Sequence, residues 1–148
     1  MEELATADLS MVVDHIGIAV RSIDDAARHW QRVFGYEPVT EVVTNTRQKV
    51  RVIFLHKERS IDIKLIEPSD ETSPIYAFVK RGGGLHHLCF RCGSLDKELA
   101  RLVALGLRTL CPPEPGEAFG NERIAFIYAE HGLNVELIET DKRAQRLP

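Results

Sequence analysis

Sliding the 148-residue chain against itself by 72 positions aligns DHIGIAVRSIDDAARHW, from Asp14, with HHLCFRCGSLDKELARL, from His86. His15 falls on His87, Ser22 on Ser94 and Asp24 on Asp96. With a one-residue slip and its reversal in the intervening loops, Arg51 meets Arg123, Phe54 meets Phe126, and Leu65-Ile66-Glu67 meets Leu137-Ile138-Glu139. A duplicated unit this small cannot bury its own apolar sheet face, so the two copies must pack or pair. Residues that point toward the axis relating them are then brought close to their counterparts.

Each half reads as strand, helix, then three strands. MVVDHIGIAV is the first strand, and Ser22 caps a helix whose Ala27, Trp30 and Phe34 share a face, with Gly35 as its stop. In the second half LHHLCFRC is the strand and Ser94 the cap. Leu95, Leu99, Leu102 and Val103 form the apolar stripe there, and Gly106 ends the helix. Short strands follow at Tyr36 to Val43 and Arg108 to Cys111, then pairs of strands rich in Val, Ile and Phe. The fold class is α+β: one domain over 1–148, with βαβββ modules at 12–68 and 85–140. A connector at 69–84 carries a short helix capped by Ser73 with Pro74 in its first position, then Gly82-Gly83-Gly84. Pro112-Pro113-Glu114-Pro115-Gly116 reads as a loop bordering the pocket, and Met1 to about Ser10 and Asp141 to Pro148 as polar tails that need not be ordered.

Composition removes several classes of function. Nineteen Lys and Arg against twenty-two Asp and Glu leave a net charge of −3, which offers no basic field for nucleic acid. No apolar run approaches the roughly 18 residues of a membrane span, and MEELATADLS has no signal-peptide pattern, so a cytoplasmic protein is expected. Three cysteines are too few and odd in number for a disulfide framework, and strand geometry sends Cys89 and Cys92 of the C-x-x-C match to opposite faces.

His15 and His87 occupy equivalent places in the two first strands, and Gly17 and Ala19 leave room beside His15. Period-two alternation sends His86 to the face away from His87. Glu136 stands between Val135 and Leu137, and its equivalent in the first half is Lys64. A carboxylate inside an apolar strand needs an ion pair, a hydrogen-bonded partner or a metal. Two imidazoles and a carboxylate suit a divalent ion such as Co, Zn, Mn, Ni or Fe, with positions left for water or substrate. The same side chains also allow a hydrogen-bonded His and Glu, or a Glu136 to Lys64 ion pair.

The repeat, DHIGIAV, SPI followed by GLHHL, GNERIAF and the terminal NVELIE resemble the vicinal oxygen chelate (glyoxalase/bleomycin resistance/dioxygenase) superfamily from about Asp14 to Glu139. Within it the chain is most similar to the methylmalonyl-CoA epimerases. The resemblance implies a cupped sheet, often in a homodimer, around a metal held by His15, His87 and Glu136. It implies a small-molecule substrate, acyl-CoA in the epimerases, and proton transfer next to a carbonyl. The fourth family ligand, usually Glu or Gln, falls on Lys64, and a second catalytic glutamate near Val52, which has no proton to transfer. Glu136 and Lys64 are then the candidate proton carriers. Other chemistries in the superfamily are a 2-His-1-carboxylate dioxygenase, a glyoxalase-type reaction, and metal-free sequestration of small molecules.

Overall fold

The computed structural model describes residues 10–148. In chain order the elements are β1 (Val12–Ala19), α1 (Ile23–Phe34), β2 (Glu37–Pro38), β3 (Val43–Asn45), β4 (Val50–His56), β5 (Asp62–Pro68), α2 (Tyr76–Lys80), β6 (Gly84–Arg91), α3 (Leu95–Ala104) and β7 (Arg108–Gly116). A 3-10 turn (Glu117–Phe119), β8 (Glu122–Tyr128) and β9 (Asn134–Ile138) complete the mixed α+β fold.

The repeated residues do the same work in both halves. Ser22 Oγ accepts the Asp25 N–H at 3.2 Å and Ser94 Oγ the Lys97 N–H at 3.3 Å, starting α1 and α3. The first N–H of each helix goes to the glutamate that ends the repeated Leu-Ile-Glu: Ile23 to Glu67 at 3.1 Å, and Leu95 to Glu139 at 2.7 Å. A carboxylate there also meets the positive end of the helix dipole. Arg51 lies 2.5 Å from Glu67, and Arg123 spans Asp96 at 2.9 Å and Glu139 at 3.9 Å.

All strands join one sheet in the order β2-β4-β5-β1-β6-β9-β8-β7, with β3 also paired to β4. β1 pairs β5 in parallel, β6 pairs β9 in parallel, and the two copies meet along the antiparallel pair β1 and β6. Ile23 and Ala27 of α1 cover Leu55, Ile63 and Leu65, while Leu95 of α3 covers Ala125, Ile127, Val135 and Leu137. The other sheet face carries Val52, Phe54, Ile66, Ile75, Phe119, Ile124 and Ile138, which surround the candidate site.

Several expectations are corrected. Phe34 and Val103 are 46% and 48% exposed, so neither belongs to its helix's buried stripe. The short connecting helix starts at Tyr76, two residues past Pro74, because Ser73 Oγ accepts the Ile75 N–H in a tight turn. Pro112 to Gly116 is strand rather than loop: β7 is an edge strand with register shifts at Thr109/Cys111 and Cys111/Glu114, where prolines need not donate to the ladder. The C-terminal segment is ordered. Leu147 N–H donates to Val39 O, Ala144 N–H to Ala118 O, and Glu41 N–H to Gln145 O, tying the end of the chain to both halves. Of the tail expected at Met1 to about Ser10, residues 1–9 lie outside the described residues.

Candidate metal centre

Two adjacent cross-strand rows build the site. Phe54, Lys64, Gly17 and His87 pair across β4, β5, β1 and β6, and His15, Cys89, Glu136 and Phe126 across β1, β6, β9 and β8. Each row therefore carries one histidine next to a small residue. Gly17 and Cys89 are equivalent under the 72-residue shift, and the first leaves the space that the His87 ring fills: a Cβ on Gly17 would stand 2.1 Å from His87 Cε1.

His15, His87, Glu136 and Lys64 converge, all at most 2% exposed. His15 Nε2 is 3.1 Å and His87 Nε2 3.3 Å from Glu136 Oε1, and the two Nε2 atoms are 3.4 Å apart. Donors each about 2.1 Å from one ion would be roughly 3.0 to 3.4 Å apart in octahedral or tetrahedral arrangement, so this triangle fits a single cation. Glu136 Oε2 is buried with no hydrogen-bond partner among the described residues. Burial alone would raise the Glu136 carboxyl, yet the Lys64 charge and hydrogen bonds from His15 and His87 hold it well below the usual carboxylate range. Burial drives His87 down to about 3, so its ring is neutral at physiological pH. Lys64 Nζ lies 3.6 Å from Glu136 Oε1 and 5.0 Å from the Phe119 ring centre. Its ammonium thus stands within the site, over an aromatic face.

A pair of β-bulges orients the histidines. Pairing of β1 with β6 passes from Val13↔Phe90 to His15↔Cys89 and from Gly17↔His87 to Ile18↔Leu85, so Asp14 and His86 are the two unpaired residues. They are equivalent under the same shift, and each reaches the ring that follows it. Asp14 Oδ2 is 2.7 Å from His15 Nδ1, and His86 Nδ1 is 2.8 Å from His87 Nδ1. The expected alternation fails at His86 because a bulge re-aims the extra residue; with His87 it lines the cavity. In a metal-bound form His15 would donate its Nδ1–H to Asp14 and offer an Nε2 lone pair to the ion, in place of its hydrogen bond to Glu136. Burial would raise Asp14, but hydrogen bonds from His15 and Arg143 keep it low.

Arg143, on the C-terminal segment, holds Asp14 through Nη2 at 2.5 Å and stacks 4.1 Å over Phe54. Neither bulge nor this anchor was visible in one sequence; the recurrence of DH and HH 72 residues apart was the available signal. Replacing Asp14 with Asn is expected to weaken Co(II) binding about tenfold, by removing the charge that orients and strengthens His15 as a ligand. Titration followed by Co(II) visible absorption reads this, and unchanged affinity would refute it.

Above the triad a cavity of about 350 Å³ is walled by Lys64, His86, His87, Phe126, Arg47 and Glu114, among others. Val52 is buried in the core and offers no chemistry. Cys89 and Cys92 are buried thiols, the second donating to Ile138 O at 3.3 Å, and burial raises Cys89 well above the usual thiol range. No helix among the described residues is long and apolar enough to cross a membrane.

A cupped sheet built from two halves of duplicated βαβββ type brings together one histidine from each half and a carboxylate from the second, a donor set that could hold a metal ion. The model of the Glyoxalase/Bleomycin resistance protein/Dioxygenase superfamily matches residues 14–126, and the chain belongs to that family. It is 38% identical over 130 residues to the uncharacterized protein YqjC of Bacillus subtilis (strain 168), covering 86% of this chain and 91% of that one. The crystal structure of methylmalonyl-CoA epimerase from Mycobacterium tuberculosis superimposes with a TM-score of 0.79 at 34% identity, covering 93% and 92% of the two chains. A methylmalonyl-CoA epimerase in complex with methylmalonyl-CoA and NH4+ gives 0.77 at 29% identity, with 92% and 97% covered.

Proposed function

We propose that this chain is a metal-dependent epimerase that moves a proton next to a carbonyl, on an acyl-CoA of the methylmalonyl type. The observation that carries the reading is the convergence of His15 Nε2, His87 Nε2 and Glu136 Oε1 within 3.4 Å of one another beside a cavity that Lys64 enters. Held by His15, His87 and Glu136, a divalent ion (Co, Zn, Mn, Ni or Fe) would polarise the substrate's carbonyl oxygens and acidify the hydrogen between them. Asp14 and His86 keep the two rings in place. Lys64 and Arg47 give the cavity wall positive charge that suits an anionic acyl group, and the apolar walls exclude water from the reacting carbon. Glu136 and Lys64 are the proton carriers that the resemblance implies; in the proposed site Lys64 faces the cavity as a proton carrier, and Glu136, sealed beneath it, acts as a ligand. The reading includes modules at 12–68 and 85–140 joined by 69–84, a homodimer and a cytoplasmic location.

The test is deuterium uptake into the α-carbon of methylmalonyl-CoA in D2O, with metal content measured on the same freshly purified protein. A stoichiometric transition metal and rapid uptake are expected. Metal-loaded protein that leaves the α-proton untouched would overturn the epimerase reading. Protein that stays metal-free after reconstitution would favour sequestration of small molecules, with Lys64 neutralising Glu136.

A further inference from the structure

Inverting a carbon that has lost its proton requires that one group remove hydrogen from one face of the planar intermediate and another return it to the opposite face. Lys64 stands on β5, on one side of the central β1 and β6 pair. The buried strands on the other side supply Glu136, which faces the two histidines and has no surface on the cavity. A carboxylate does reach the cavity from that side. Glu114 lies on β7, the last strand beyond β9 and β8, and lines the same 350 Å³ space as Lys64 and His87.

Its placement follows from the register. Glu114 pairs with Ile124, two residues from Phe126, so the two side chains of β8 share a face. Phe126 packs edge-on against His87 at 5.4 Å between ring centres, which fixes that face as the one toward the site. Cys111 pairs with Phe126 and joins Glu114 in the cavity wall. Burial and the neighbouring Glu114 carboxylate raise the Cys111 thiol to about 11, so it stays protonated, and its Sγ–H donates to Pro112 O at 3.5 Å. The shifts in β7 at Thr109/Cys111 and Cys111/Glu114 bend this proline-rich edge, and such bulges commonly re-aim a side chain beside a site.

We infer that Glu114 is the second proton-transfer group, acting on the face of the substrate opposite Lys64. This rests on the epimerase reading above and completes it. Glu114 as carboxylate takes the α-proton, the C–H electron pair moves onto the carbonyl oxygen to give an enolate, and Lys64 delivers a proton to the other face. The reverse direction uses the same two groups with their roles exchanged. In this assignment the Pro112 to Gly116 part of β7, expected from sequence as a loop at the pocket's border, is the second catalytic wall.

The experiment follows α-proton exchange into D2O from each enantiomer of methylmalonyl-CoA separately, by NMR, with wild-type protein, Glu114→Gln and Glu114→Asp. In Glu114→Gln, exchange from one enantiomer is expected to fall by about 10²- to 10⁴-fold while exchange from the other persists. Glu114→Asp should restore part of the lost exchange. Metal content and melting temperature should not move, since Glu114 is a partly exposed edge-strand residue outside the metal triad. Equal exchange from both enantiomers in Glu114→Gln, whether at wild-type rate or lost alike, overturns the assignment. Wild-type protein that exchanges neither enantiomer overturns the epimerase reading itself, so the control and the variant report on separate claims.

Discussion

Lys64→Met should bind a divalent ion at least tenfold more tightly than the native chain and lose about 10²- to 10⁴-fold of α-proton exchange from the enantiomer whose proton faces Lys64. Two effects of opposite sign are expected because one side chain does two things. As an ammonium 3.6 Å from Glu136 Oε1, Lys64 repels a dication coordinated by that same oxygen, by several kcal/mol even in a medium of moderate dielectric. As a cavity-facing amine or ammonium, it is the group that exchanges a proton with the substrate on the β5 side. Methionine keeps the length and apolar stem, so the Phe54 and Phe119 rings stay covered. Without its ammonium partner the buried Glu136 depends more on the ion, and the melting temperature of the metal-free variant should drop and recover on adding Co(II). Calorimetric titration of the metal and NMR of the substrate check the two halves of the claim. Retained exchange from that same enantiomer would remove Lys64 from the chemistry, and unchanged affinity would remove it from the metal's electrostatics.

Gly17→Ala should cripple metal binding without removing the fold. A strand readily accepts alanine, but the new Cβ would lie 2.1 Å from His87 Cε1, 2.4 Å from Nδ1 and 2.5 Å from Nε2. Those are distances at which something must move, and the flexible partner is the imidazole itself. His87 swings out of the triangle, two of three donors remain, and affinity falls by more than about a hundredfold, with about 1 to 3 kcal/mol of stability lost to overpacking. Co(II) absorption and thermal unfolding separate these effects. A variant with native affinity would mean that His87 is not a ligand. Cys89→Ala, the equivalent change in the other half, creates only a small void and should keep the metal.

The fold was legible because duplication writes its packing twice. Ser22 and Ser94, Glu67 and Glu139, and Arg51 and Arg123 recur because each helix must have its first N–H groups satisfied and its end tied to a strand. His15, His87 and Glu136 were legible for a related reason: polar residues at matched places in apolar strands need a common partner, and the axis supplies the meeting point. What misled was local. Alternation put His86 on the wrong face because a bulge leaves no mark on the hydrophobic pattern, and prolines in Pro112 to Pro115 read as loop because a bent edge strand has no ladder bond there to lose.

The sequence by itself determined two equivalent βαβββ units and the residue types at their shared axis, since periodicity and repetition are properties of the chain. Only the tertiary structure decided which atoms face one another. It set His15 Nε2, His87 Nε2 and Glu136 Oε1 at 3.1 to 3.4 Å, put Asp14 and His86 behind the rings, and brought Arg143 back from 129 residues away to hold Asp14. The physical reason is that contact between distant segments depends on strand register and bulges, which are fixed when the whole sheet closes around its core.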